Sequence, residues 1–370
     1  VREYLIVFAV AALATFVLTP LAGRLAVRIG AMAQVRERDV HQAPTPRLGG
    51  LAMYGGVLAG MAVASRLPLL STVFASSSEP KAVIFAGAMI CGLGVVDDRW
   101  SLDPLSKLAG QIAAAGVMVL LGVQLSFIVI GSHLYSLGQA QAVPLTVLLS
   151  VVLVNAVNFI DGLDGLAAGV VAISALAAFV YGYHITANFG YFTTVAAPAT
   201  LLAAVLAGVC VGFLPHNFSP ARLFMGDSGS MLIGLMLAGS ITSLTGQVDF
   251  ASLDSLEKLP LLVPLALPLL VLAVPLTDFL FAVIRRASSG RSPFSPDKHH
   301  LHHRLLGFGH SQRRAVLLIY AGTALLASCG VALSFTHGAY VALALLLAVL
   351  VLAIVVGSLP RWRALRRTVS

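Results

Sequence analysis

PLTVLLSVVLVNAVNFIDGLDGL, residues 144–166, decides the fold. An apolar run over about 144–158 stops at the polar stretch NFIDGLD, and a second apolar run over about 166–183 starts as soon as that stretch ends. Each run approaches the roughly 20 residues that cross a bilayer core, and the segment between them is too short to form a domain. The pair reads as two membrane helices meeting at one water boundary. Extending the same reading outward adds runs at about 5–23, 48–65, 82–96, 107–123, 197–214, 229–246, 261–284, 315–335 and 339–359, eleven spans in all. The run at 5–23 has no small-residue cleavage site behind it and is expected to stay as a first helix.

Composition agrees. Of 370 residues, 58% are hydrophobic and only 10% charged, whereas soluble domains carry roughly a quarter charged residues. The expected fold is an all-α polytopic membrane protein of about eleven transmembrane helices, one integral-membrane domain over 1–370. Cys91, Cys210 and Cys329 lie inside apolar runs without metal-ligand spacing, so they are expected to pack and not to bridge or bind zinc. The outer segment 124–143, with alternating Leu125, Phe127 and Val129 before Gly131 and Gly138, suits a small hairpin.

The net charge of +8 is a matter of topology. Nineteen of the 23 Lys and Arg fall between spans on one side and four, Arg2, Arg66, Lys81 and Lys258, on the other. Basic loops stay in the cytoplasm, which places the N-terminus outside, the C-terminus inside, and removes any need for a nucleic-acid partner. Nine of the 15 acidic residues share the cytoplasmic side, where the charge rule does not call for them.

Five inner segments carry the chemistry. HQAPTPRLGG (41–50) brings prolines and paired glycines to a helix start, either a turn feeding the second span or a place where free N–H groups receive phosphate. VVDDRWSLDPLSK (95–107) sets Asp97 beside Asp98 at a membrane boundary. Two such carboxylates call for Mg²⁺, a lysine or a proton to transfer, while Asp103 before Pro104 suits a helix cap. In NAVNFIDGLDGL (155–166), Asn158, Asp161 and Asp164 are spaced by three, one face if the helix continues, and Gly162 admits a close approach. HNFSPARLFMGDSGS (216–230) offers Asp227 as a hard ligand or a cap, and Phe224 as a face for a planar base. SPDKHHLHHR (295–304) gathers histidines beside Lys and Arg, better suited to phosphate or proton movement than to a soft metal. A one-sided acidic cluster that can hold Mg²⁺, ringed by basic groups, fits phosphoryl transfer between a soluble donor and a lipid. A cation-coupled transporter would place its carboxylates at mid-membrane, as Asp278 in PLTDF (275–279) alone is placed here.

These motifs, in this order, resemble the polyprenyl-phosphate N-acetylhexosamine-1-phosphate transferases. The resemblance implies a cytoplasmic active site in the cell membrane. There N-acetylglucosamine 1-phosphate passes from UDP-N-acetylglucosamine to undecaprenyl or decaprenyl phosphate, releasing UMP and starting a cell-envelope polysaccharide such as lipopolysaccharide or an arabinogalactan linker. It implies Mg²⁺, with Mn²⁺ as a substitute, on Asp227 and Asn158. Asp97, Asp98, Asp161, Lys107, His300, His302 and His303 are implied as catalytic, and Asn217, Phe224, Asp164, Gly162 and Arg304 as substrate-binding. A homodimer is compatible. The His-x-His-His pattern and Asp278 resemble the N-acetylglucosamine branch more than the phospho-N-acetylmuramoyl-pentapeptide transferases, the alternative.

Overall fold

The computed structural model describes residues 1–33, 44–130, 133–188, 198–245 and 311–332, with isolated helical positions at 343, 346 and 349. Its helices are α1 (Arg2–Ile29), α2 (Gly49–Ala64), α3 (Ser71–Ser76), α4 (Glu79–Trp100), α5 (Pro104–Leu120), α6 (Gln139–Ile160), α7 (Leu166–Asn188), α8 (Pro198–Asn217), α9 (Gly226–Thr245) and α10 (Gln312–Ala332). Seven of them are long and apolar enough to cross a bilayer, and α2 and α5 are shorter apolar helices. The polytopic helical reading therefore holds among the described residues. The expected spans at 261–284 and, apart from those isolated positions, 339–359 lie outside them.

Several helices, α1, α4, α6 and α7 among them, are longer than their apolar runs because further residues complete the end turns. Thus α4 extends from Glu79 to Trp100 around the run at 82–96. Two features escaped the hydropathy pattern: the short α3, and a two-residue antiparallel pair of β1 (Met32–Ala33) with β2 (Thr45–Pro46). The expected outer hairpin is present as β3 (Phe127–Ile130) paired with β4 (His133–Ser136). All three cysteines are buried, and none is in a disulfide.

The centre of the bundle is α9. It packs on α2, α4, α6, α7 and α8. Every residue of α9 is buried except Asp227. Around it, α1 packs on α2 and α8, α5 on α4 and α6, and α10 on α7. On α1 the exposed side chains include Leu5, Leu13, Phe16, Val17, Leu21 and Leu25, an apolar face suited to lipid. Pro20 within α1 has no N–H to give the carbonyl of Phe16. That oxygen instead meets His216 Nε2 at 3.1 Å, tying α1 to the end of α8.

Small residues let α2 reach α9. A Cβ on Gly50 would overlap the backbone of Ser228 and Gly229, so the two helix starts touch main chain to main chain. The Gly49 N–H donates to Phe224 O and the Gly50 N–H to Met225 O, both at 3.0 Å. The phosphate reading of this helix start is thereby corrected: both amides are occupied by a neighbouring strand of chain, which leaves the plain turn.

Candidate active site

Four of the five inner segments meet at one end of the bundle. The polypeptide turns from α4 into α5 within three residues: Ser101 adopts φ 53°, and Asp103 caps α5 by accepting from the N–H groups of Leu105 and Ser106, each at 3.0 Å. This turn sets Lys107, one turn into α5, against Asp97, one turn before the end of α4.

Lys107 Nζ donates to Asp97 Oδ2 at 3.2 Å and also to Asp227 Oδ2. Asp227 Oδ1 accepts from Asn158 Nδ2 at 2.9 Å, and the same amide donates to Ser230 Oγ at 2.8 Å. Asp97 takes a further bond from the Leu102 N–H at 2.7 Å. The result is a continuous partly buried chain, Asp97, Lys107, Asp227, Asn158, drawn from α4, α5, α9 and α6. Asp227 was open to either a capping or a ligand reading; its carboxylate points away from its own helix start and into this chain.

Asp98 behaves differently from its neighbour. It is 8% exposed, and its carboxylate accepts from the backbone N–H groups of Asp227 (2.9 Å) and Ser228 (3.1 Å) and from Ser228 Oγ (2.9 Å).

The one-face expectation for Asn158, Asp161 and Asp164 is corrected, because α6 ends at Ile160 and 161–165 form turns. Asn158 reaches Asp227, whereas buried Asp164 accepts from the Ala221 N–H at 3.0 Å. Buried Asn217 accepts from the Gly165 N–H and donates to Leu223 O, each at 3.0 Å. Asp164 and Asn217 therefore lash the 161–165 turn to the loop that carries Phe224. Tyr320 of α10 adds a third tie, donating to Gly165 O. Phe224 is half-buried, with its N–H on Pro46 O at 2.9 Å, and Gly162 is exposed beside Asp161. The fifth segment, with His300, His302, His303 and Arg304, lies outside the described residues, as does Asp278. At the start of α10, Arg313 Nε donates to Ser219 O at 2.6 Å.

Two contributors were not singled out from the sequence. Ser230 holds Asn158 in place; its signal was its position one turn after Asp227. Arg47, half-buried, is the nearby cation that offsets the acidic field on Asp161. Asp161 is held well above the ordinary carboxylate range, first by withdrawal from water and then by the negative charges of Asp227 and Asp98. A carboxyl raised in the folded state costs stability above its folded pKa, and the cost disappears below the unfolded value of about 4. Asp161→Asn is therefore expected to raise the thermal midpoint near neutral pH. The gain should shrink on acidification, as read from unfolding in detergent at stepped pH; a gain that grows as pH falls would contradict this origin.

The donor set suits a hard cation. Among the described residues no three acidic, histidine or cysteine side chains are gathered to hold a metal by themselves. What converges is two carboxylates and an amide, already bridged by an ammonium. Mg²⁺ commonly takes one or two carboxylates and lets substrate phosphates and water complete its shell. Such a partial set fits it.

Residues 81–247, which include most of α4 and all of α5 to α9, match the family model described as glycosyl transferase family 4. A decaprenyl-phosphate N-acetylglucosaminephosphotransferase of Mycobacterium leprae is 48% identical over 86% of this chain and 81% of its own length. The protein of the same name from Mycolicibacterium smegmatis is 46% identical over 98% and 89%. A probable undecaprenyl-phosphate N-acetylglucosaminyl 1-phosphate transferase of Bacillus subtilis is 34% identical over 85% and 80%.

Proposed function

Because this chain belongs to glycosyl transferase family 4, we propose that it moves N-acetylglucosamine 1-phosphate from UDP-N-acetylglucosamine to decaprenyl phosphate. The products are decaprenyl-diphosphate-N-acetylglucosamine and UMP. The relatives of higher identity act, by their names, on decaprenyl phosphate, which favours that acceptor over the undecaprenyl one. One observation carries the reading: Asp97, Lys107, Asn158 and Asp227, from four separate helices, form a single charged network where those helices leave the apolar layer. The excess of basic residues on that side favours a cytoplasmic site, where a soluble nucleotide sugar is at hand.

In the reaction an acceptor phosphate oxygen attacks the phosphorus that bears the sugar. The bond from that phosphorus to the bridging oxygen breaks, and the bridging oxygen leaves with UMP. Asp227 and Asn158 would hold Mg²⁺, or Mn²⁺ in its place, which would supply positive charge to the donor diphosphate. Lys107 offers a second positive charge within the network, oriented by Asp97, for a phosphate group. A phosphate monoester is already largely ionised at neutral pH, so alignment and charge neutralisation matter more than removal of its proton. Any residual proton falls to Asp97. Phe224 suits stacking on uracil, on the loop that Asp164 and Asn217 tie to the 161–165 turn; Asp161 and Gly162 are assigned to the nucleotide by resemblance. His300, His302, His303 and Arg304 are assigned to the diphosphate by resemblance.

The test is label transfer by the purified protein, given radiolabelled UDP-N-acetylglucosamine, decaprenyl phosphate and Mg²⁺. Label is expected in the butanol-soluble lipid with equimolar UMP, and neither when Mg²⁺ is withheld. Turnover of the UDP-muramoyl-pentapeptide alone would assign the chain to the alternative donor.

A further inference from the structure

We infer that Asp98 is a positioning residue that builds the first turn of α9 and thereby aims Asp227, and that it takes no part in proton transfer. The inference rests on Asp227 as metal ligand, as proposed above. The first turn of a helix leaves its amides without partners, and a polar side chain at the preceding position normally accepts from the second and third of them. Here α9 begins at Gly226, and the preceding residue is Met225, which has no such oxygen. Its second and third amides, those of Asp227 and Ser228, donate instead to Asp98 on α4. A carboxylate at that end is also favoured by the helix dipole.

The surroundings are shaped for this contact. Gly226 adopts φ +70°, and a Cβ there would overlap the Asp98 carboxylate. A Cβ on Gly94, one turn before Asp98, would overlap the Ser228 backbone. The two helices thus meet main chain to main chain, with Asp98 sealed between them. A general base must present a lone pair to its substrate. Oδ1 of Asp98 faces the Asp227 amide and Oδ2 faces the amide and hydroxyl of Ser228, so both oxygens are engaged by α9. The adjacent carboxylate, Asp97, contacts Lys107. The acidic pair therefore divides its work: Asp98 locks α4 to α9, and Asp97 stays with the reacting charges.

The experiment compares Asp98→Asn and Ser228→Ala with the wild-type protein, purified in detergent, by three readouts. Amide hydrogen exchange over 226–231 is expected to quicken in Asp98→Asn, since the Nδ2 that replaces one carboxylate oxygen cannot accept from the N–H that faces it. Mn²⁺ affinity, read by electron paramagnetic resonance without substrate, is expected to fall by about 10- to 100-fold, as for loss of a partner behind a metal ligand. UMP release by Asp98→Asn should return most of the way to the wild-type rate when Mg²⁺ is raised to saturate the weakened site. Ser228→Ala, which removes a single hydroxyl donor, is expected to move exchange and Mn²⁺ affinity in the same direction by about threefold. It keeps the comparison decisive should Asp98→Asn fold poorly. Unchanged exchange and Mn²⁺ affinity, with a loss of turnover that no Mg²⁺ concentration restores, would overturn the inference and return Asp98 to the reacting atoms. Exchange needs no substrate, so a failure here is distinguishable from a failure of the proposed activity.

Discussion

Replacing Asp227 by alanine is expected to reduce UMP release by about a thousandfold or more while leaving the protein inserted and folded. The effect is large because this carboxylate joins the two halves of the network: one oxygen meets Lys107 and the other meets Asn158. Removing it takes away the carboxylate proposed to hold the metal and leaves Lys107 with Asp97 alone. Folding should survive, because Asp227 is the single residue of α9 that is not buried and its backbone amide keeps its bond to Asp98. The check pairs UMP release with a size-exclusion profile and Mn²⁺ binding. Wild-type turnover together with wild-type Mn²⁺ binding in the variant would remove Asp227 from the metal site.

Lys107→Met is expected to lower turnover by about a hundredfold, through a different route. The ammonium touches both Asp97 and Asp227, so its loss leaves two carboxylates facing each other with no cation between them. The metal-free variant should melt at lower temperature, and Mg²⁺ should restore more than it does in the wild type, because the ion replaces the missing charge. Thermal unfolding with and without Mg²⁺ reads this directly. An equal Mg²⁺ stabilisation in both proteins would mean that Lys107 and the metal do not share a field.

How much of this was legible beforehand follows from what each signal depends on. Hydropathy is local, so the runs that became α1, α4, α6, α7, α8, α9 and α10 could be drawn from residue order alone. The capping of α5 by Asp103 was equally local, needing only an Asp before a Pro at a helix start. The gathering of the site segments at one end followed from alternation of the spans. What could not be read was direction. Asp97 and Asp98 are adjacent, and consecutive helical residues point about 100° apart, so one turns to Lys107 and the other to α9. Sequence spacing treats the pair as one motif; three-dimensional packing separates them. In the same way the resemblance implies Asn217 and Asp164 as nucleotide contacts, and only the fold shows that their bonds also brace the loops around Phe224. The paired Gly49 and Gly50 look alike for a phosphate and for a close helix crossing, and the main chain at 224–225 is what decides between these.

The enclosure of α9 also bears on how the protein is made. Of the seven long apolar helices it is the least apolar, carrying Ser228, Ser230, Ser240, Thr242, Ser243 and Thr245, and it touches helices on all sides. Emerging from the ribosome, this segment enters the bilayer after α2, α4, α6, α7 and α8, whose inner faces have until then no common partner. Those earlier helices gain their shared partner only once residue 245 has been synthesised. The newly made chain should then acquire its resistance to protease in one step, at the arrival of its central pillar.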